Sequence, residues 1–136
     1  VIEEKKSILG ICLGSQLMTN EGFEYGHHQG LKWIDATVVR MDPKDKSLRV
    51  PHVGWNNLKQ AKEDVLFEGI PKETLFYYVH SYYIKPNKAE IVIGECEYGD
   101  RFAAAIHQDN IYATQFHPEK SQLHGLDLLK NFLTKV

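Results

Sequence analysis

Cysteine is scarce in this chain: Cys12 and Cys96 are the only two among 136 residues. Two thiols build no disulfide framework, and a chain of this length can bury a core without one. A reducing, cytoplasmic setting is therefore expected, and each thiol has to be explained as packing or as chemistry. Charge of one sign is also lacking. A formal net charge of −2 offers no broad basic surface for phosphate backbones, so nucleic acid is not an expected partner. Apolar runs are short, none near the roughly 20 residues needed to span a bilayer, so no membrane segment is expected. Glu3-Glu4-Lys5-Lys6 leads into an apolar stretch too brief for a signal peptide. Repeats, low-complexity tracts and linkers are absent, which leaves one domain over residues 1–136. An initiating methionine is missing too. Val1 opens the chain and a buried-type strand follows almost at once, so an N-terminal part of the domain is expected to lie outside this sequence.

What is present is an ordinary globular composition, 43% hydrophobic and 25% charged. Ser7–Cys12 reads as a strand buried on both faces, and Gln16–Asn20 as the start of a helix. Glu21–Gly30 reads as loop, Trp33–Met41 as a strand, Val50–Asn57 as irregular and Leu75–Val79 as a central strand. Tyr82–Lys85 continues past a bend. Glu90–Tyr98 and Phe102–Gln108 form an expected antiparallel pair around Gly99-Asp100, and Asn110–Gln115 a further strand. Apolar residues at 126, 128, 129, 132 and 133 have helical spacing.

Gly10-Ile11-Cys12-Leu13-Gly14 places a cysteine between glycines at the end of an apolar strand. With serine, this spacing is the nucleophile elbow, where the chain turns sharply from strand to helix and small neighbours let the backbone pass. The following helix would favour a thiolate through its dipole, and the Leu13 N–H would reach an oxyanion. Alone, the pattern fits a core cysteine equally well. His117-Pro118-Glu119 supplies what a nucleophile needs, a base and a group that fixes the base's tautomer. In extended chain, residues 117 and 119 share a face.

These residues resemble the signatures of the class I (triad) glutamine amidotransferases. Pro51-His52-Val53-Gly54-Trp55-Asn56, Tyr77-Tyr78-Val79-His80-Ser81-Tyr82 and Gln115-Phe116-His117-Pro118-Glu119-Lys120-Ser121 bring the resemblance closest to the glutaminase subunits of imidazole glycerol phosphate synthase. It spans about Ser7 to Leu133. The resemblance implies an α/β, flavodoxin-like domain with a mixed, mostly parallel sheet flanked by helices. It implies hydrolysis of glutamine by Cys12, His117 and Glu119, with Leu13 at the oxyanion. Gly14, Gln16, Tyr77, Ser81 and Tyr82 would bind glutamine. Trp55 and Lys120 would face a (β/α)8-barrel synthase partner in a heterodimer that receives ammonia for histidine biosynthesis. No cofactor or metal is implied, and His27-His28 has no third ligand at a suitable spacing. Tyr77 and Trp55 fit core positions as well. His52, His107, His124 and Cys96 read as structural. Family members carry a glycine-rich oxyanion loop before the nucleophile strand, and none precedes Cys12 here. Gly30–Ala36 also resembles a paralogous branch that supplies ammonia to a surface-sugar amidotransferase. A cysteine hydrolase of another substrate and a non-catalytic truncated fragment are the rival readings.

Overall fold

A computed structural model describes all 136 residues. Its framework is a six-stranded sheet: β1 (Ile8–Ile11), β5 (His52–Gln60), β6 (Glu73–His80), β8 (Val92–Tyr98), β9 (Asp100–Gln108) and β10 (Ile111–Thr114), in the order β1-β10-β9-β8-β5-β6. A smaller sheet holds β2 (Glu21–Gly22), β3 (His28–Gln29), β4 (Ala36–Arg40) and β7 (Tyr82–Pro86), in the order β3-β2-β4-β7. Two helices complete it, α1 (Leu13–Leu17) and α2 (Gln122–Lys135). No helix is long and apolar enough to cross a membrane.

Side chains alternate across the large sheet, and both faces carry core. Leu9, Tyr112 and Phe116 join the layer that includes Phe76, Tyr78 and, from α2, Leu128. Ile8, Ile111 and Ala113 face the other way, onto Met18 after α1 and onto Val38 and Ile84 of the small sheet. This two-sided burial is why Ser7–Cys12 and Asn110–Gln115 read as nearly continuous apolar runs.

The α/β class holds, as a mixed sheet with few helices. The balance of directions differs from the expectation of mostly parallel strands. β1 and β10 are parallel, as are β2 and β4, and every other pairing is antiparallel. Hairpin-type links such as Gly99 between β8 and β9 leave no room for the crossovers a parallel pairing needs.

Three local expectations are corrected. Val50–Asn57 is not irregular, because β5 runs through it. Its inward positions His52, Gly54 and Asn56 are polar or small, so no hydrophobic alternation marks the strand, and pairing to β6 and β8 holds it instead. β6 is an edge strand, not a central one. Its aromatics are buried by packing from below, with Phe76 stacked on Phe116 at 4.2 Å. The helix after Cys12 begins at Leu13 and ends at Leu17, where Gln16–Asn20 had been expected.

Candidate active site

The one parallel pairing in the large sheet builds the site. Ile11 pairs with Thr114, and the Cys12 N–H donates to the Thr114 carbonyl at 2.8 Å. The chain segments leaving β1 and β10 therefore emerge side by side. Residues from opposite ends of the sequence meet at the carboxyl ends of neighbouring parallel strands, where open α/β sheets form their ligand sites.

Cys12 has φ 52° and ψ −110°, a conformation that L-residues avoid. The elbow is thus present in the backbone. Gly10 is needed for it, because a Cβ there would stand 2.9 Å from the Ser15 backbone. Gly14 is not needed for passage: a Cβ there would meet nothing within 4 Å. The steric reason expected for both glycines applies to Gly10 alone.

The expected thiolate is also revised. Burial pushes the Cys12 thiol above its ordinary pKa, outweighing the Leu13 N–H directed at it. The Glu119 carboxylate raises it further, while the Gln115 amide and the Lys120 charge pull it down. A helix of five residues gives too little dipole to reverse the balance. Deprotonation of Cys12 must be driven by a base rather than preset by the helix.

The candidate base, His117, lies just past the end of β10, the strand paired with β1. His117 Nδ1 lies 2.5 Å from Glu119 Oε1. The pair arises from a 3₁₀ turn, Pro118–Lys120, and not from extended chain as expected. Pro118 at the first position of the turn sets its φ and needs no N–H partner. The His117 N–H donates to the Tyr77 carbonyl at 2.9 Å, and Ser121 Oγ donates to the His117 carbonyl at 2.5 Å. Nδ1 is held by the carboxylate, and Nε2 is buried with no protein partner.

Gln16 Nε2 donates to the Tyr82 carbonyl at 3.1 Å and to Gln115 Oε1 at 3.2 Å, and Gln115 Nε2 points at Cys12 Sγ at 3.7 Å. Gln16, Tyr82 and Cys12 are thus brought together, Tyr82 through its main chain. Gln115 is a site residue the sequence does not single out, because a buried amide next to an apolar strand gives no sign in sequence of where it points. A cavity of 270 Å³ opens beside Leu13 and Gln16 and is lined further by Glu21, Glu24 and Tyr25. Those acidic residues lie in Glu21–Gly30, expected to be loop, where the structure instead pairs the short strands β2 and β3 at its two ends. Tyr77 and Ser81 do not line this cavity. Tyr77 instead packs edge-on against Trp55, ring centres 6.0 Å apart, and the Ser81 carbonyl accepts from the Met41 N–H. Trp55 is 46% exposed on the rim of a separate 540 Å³ groove with Leu75, Ser121, Leu123 and His124. Lys120 is exposed at the end of the 3₁₀ turn. His27 pairs with Glu21 at 2.6 Å.

Beneath the site, His52 and His80 face each other across β5 and β6, both buried, with Nδ1 of His52 3.0 Å from Nε2 of His80. Burial holds the pKa of each at about 4, and His80 is disfavoured further by charge on His117. Folded values lie below the ordinary 6.5, so above that pH both states are neutral and nothing is gained or lost. Between about 6.5 and 4 the unfolded chain binds protons that the folded chain refuses, so stability falls as pH falls. Each histidine contributes at most about 3 kcal/mol of this loss. Urea midpoints measured at pH 7.5, 5.5 and 4.5 should decline through that window. The depressed carboxyls of Asp35, Asp42 and Asp45 act lower, below 3.8.

Comparison with known proteins places the chain in a class. The family model for glutamine amidotransferase class-I matches residues 1–136, and the chain belongs to that family. It is 49% identical over 132 residues to imidazole glycerol phosphate synthase subunit HisH 1 of Campylobacter jejuni subsp. jejuni serotype O:23/36 (strain 81-176), covering 97% of this chain and 65% of that protein. It is 47% identical over 135 residues to imidazole glycerol phosphate synthase subunit HisH of Syntrophotalea carbinolica, covering 96% and 66% respectively. The chain thus spans about two thirds of the length of these relatives. A glutamine amidotransferase structure from Thermotoga maritima superposes with a TM-score of 0.64 at 17% identity, over 97% of this chain and 49% of that one, which speaks for the fold.

Proposed function

We propose that this protein is the glutaminase subunit of an imidazole glycerol phosphate synthase, hydrolysing glutamine and passing ammonia to a (β/α)8-barrel partner in the cytoplasm. The observation that carries the reading is that Cys12 and the His117–Glu119 pair follow the ends of two adjacent parallel strands. The names of the similar proteins support it and favour histidine synthesis over the surface-sugar pathway.

In this reading Glu119 holds His117 Nδ1–H, so Nε2 is free to take the Cys12 proton. The sulfur attacks the side-chain amide carbon of glutamine, and negative charge on the amide oxygen is met by the Leu13 N–H. His117 returns the proton to the departing nitrogen, and ammonia leaves a thioester on Cys12. Water deprotonated by His117 then cleaves the thioester, releasing glutamate and the thiol. A glutamine whose reacting amide lies at Cys12 can extend along Gln16 into the 270 Å³ cavity, where Glu21 and Glu24 complement its ammonium. The open space around Gly14 fits a substrate backbone at that point. Trp55, exposed beside a groove with Leu75 and Leu123, and Lys120 suit a partner interface with an aromatic anchor.

Glutamate release from glutamine, followed with and without a barrel partner, tests this. Turnover that rises when the partner is added is the expected result. Hydrolysis of peptides or esters with no glutamate under either condition would reject it.

A further inference from the structure

One buried polar feature is left unused by this chemistry. His52 and His80 are 3% and 6% exposed, directly paired in the β5–β6 register, and set among aromatic rings. Burying two imidazoles without a charged partner costs free energy unless every nitrogen is satisfied. Here every nitrogen is, and in only one sense of donation.

The Tyr82 carbonyl can only accept, so His80 Nδ1, 2.8 Å away, carries the hydrogen. In the neutral ring His80 Nε2 then accepts, and His52 Nδ1 must donate to it at 3.0 Å. His52 Nε2 is left as an acceptor, and the Asn56 side-chain amide donates to it at 3.2 Å. Asn56 is fixed in that sense, because the same Nδ2 donates to the Glu97 carbonyl at 2.9 Å while Oδ1 accepts from the Asn57 N–H at 2.8 Å. The relay thus runs from Asn56 to His52 to His80 to the Tyr82 carbonyl. That carbonyl also receives Gln16 Nε2, which bridges to Gln115, and Gln115 faces Cys12. The His52 ring is stacked between Tyr78 at 4.9 Å and Tyr98 at 4.0 Å, so it cannot turn to reverse the order. The starting residue, Asn56, is the neighbour of exposed Trp55.

We propose that His52 and His80 are positioning residues: as a neutral, one-directional relay they fix the Tyr82 carbonyl and, through Gln16 and Gln115, the polar surroundings of the Cys12 thiol. The proposal rests on the glutaminase reading for its effect on turnover, but its effect on the thiol is independent of any substrate. Added protons work against the relay. A second hydrogen on His80 faces the His52 donor, and a shifted tautomer of His52 faces the Asn56 amide with another donor. The groups facing the pair are Tyr78, Tyr98 and Phe102, with His117 beyond His80, and none of them is a carboxylate that would hold an imidazolium.

Two measurements test this. Imidazole ¹⁵N spectra at pH 7 should give both rings as neutral Nδ1–H tautomers. An Nε2–H tautomer in either ring, or an imidazolium, would overturn the relay. His52→Phe keeps the stacked ring and removes both relay bonds. The pH profile of iodoacetamide alkylation at Cys12 should shift in this variant, and its glutaminase kcat/KM should fall about 10- to 100-fold. A folded His52→Phe protein with the parent's alkylation profile would sink the proposal. Should that variant not fold, Asn56→Ala cuts the relay at its outer end and is read the same way. A parent protein that releases no glutamate, yet shows both rings as Nδ1–H tautomers and an alkylation profile that shifts in His52→Phe, would count against the glutaminase reading and leave the relay standing.

Discussion

Cys12→Ala is expected to abolish glutamate release, lowering kcat/KM by about 10⁴-fold or more while the protein stays folded. In the proposed mechanism the reason is covalent: without a nucleophile at the end of β1 there is no thioester, and only binding and the Leu13 N–H remain. Cys12→Ser should fare little better. A hydroxyl is harder to deprotonate than a thiol, and the same burial that raises the thiol pKa raises the hydroxyl further out of reach of His117. A stability comparison separates chemistry from the fold. With φ 52° and ψ −110°, residue 12 sits in a mirror-image region open to glycine, so Cys12→Gly should be about 1 kcal/mol more stable than Cys12→Ala. Steady-state kinetics and urea titration of the three variants check both statements. Residual turnover in Cys12→Ala within tenfold of the parent would remove Cys12 from the mechanism.

Gly125→Ala is expected to lose both stability and turnover. Gly125 lies in α2 against the turn that carries His117 and Glu119, and a Cβ there would stand 1.9 Å from the Pro118 carbonyl oxygen and 2.8 Å from Ser121 Cβ. Backbone cannot yield as a flexible side chain does, so α2 and the turn must separate. Overpacking of this kind costs about 1–3 kcal/mol or more, against the small gain alanine brings to a helix. Separation also pulls on the His117–Glu119 contact and on the Ser121 bond to the His117 carbonyl, so kcat should fall beyond what unfolding explains. Gly14→Ala is the control. It meets no protein atom within 4 Å and sits in α1, so folding should be unaffected, and any rise in KM for glutamine reports substrate at that position. Thermal midpoints and kinetics under conditions where each variant is fully folded decide between these outcomes.

Much of the site was legible in order along the chain. The two glycines around Cys12 announced an elbow, and the backbone has one. Pro118 between His117 and Glu119 announced a constrained pair, and the two side chains do meet. The reasons were less legible than the residues. Gly14 was given a steric role that only Gly10 has. The His–Glu contact was ascribed to extended chain, whereas a 3₁₀ turn makes it. The helix dipole was credited with a thiolate that burial opposes. Each miss turns on local three-dimensional crowding, which residue type alone does not encode.

The polar strand β5 was missed for a related reason. Its inward side is His52, Gly54 and Asn56 before the first apolar position at Leu58, which breaks the alternation that marks strands. His52, which reads as structural, and His80, to which the sequence assigns no role, are buried and hydrogen-bonded in one sense only, and that sense depends on Tyr82, Asn56 and Glu97 reaching them from three places in the fold.

By itself the sequence determined the apolar strands, the amphipathic final helix, the strained turn at Cys12 and the chemical types gathered at 117–119, because these depend on periodicity and on the conformational limits of glycine and proline. Only the tertiary structure decided that β1 and β10 lie parallel and adjacent. That pairing aligns the exits of two strands, and with them places Cys12 against Gln115 and brings the segment carrying His117 out at the same end of the sheet, because strand neighbours are selected by burial of both sheet faces at once and not by anything written within either strand.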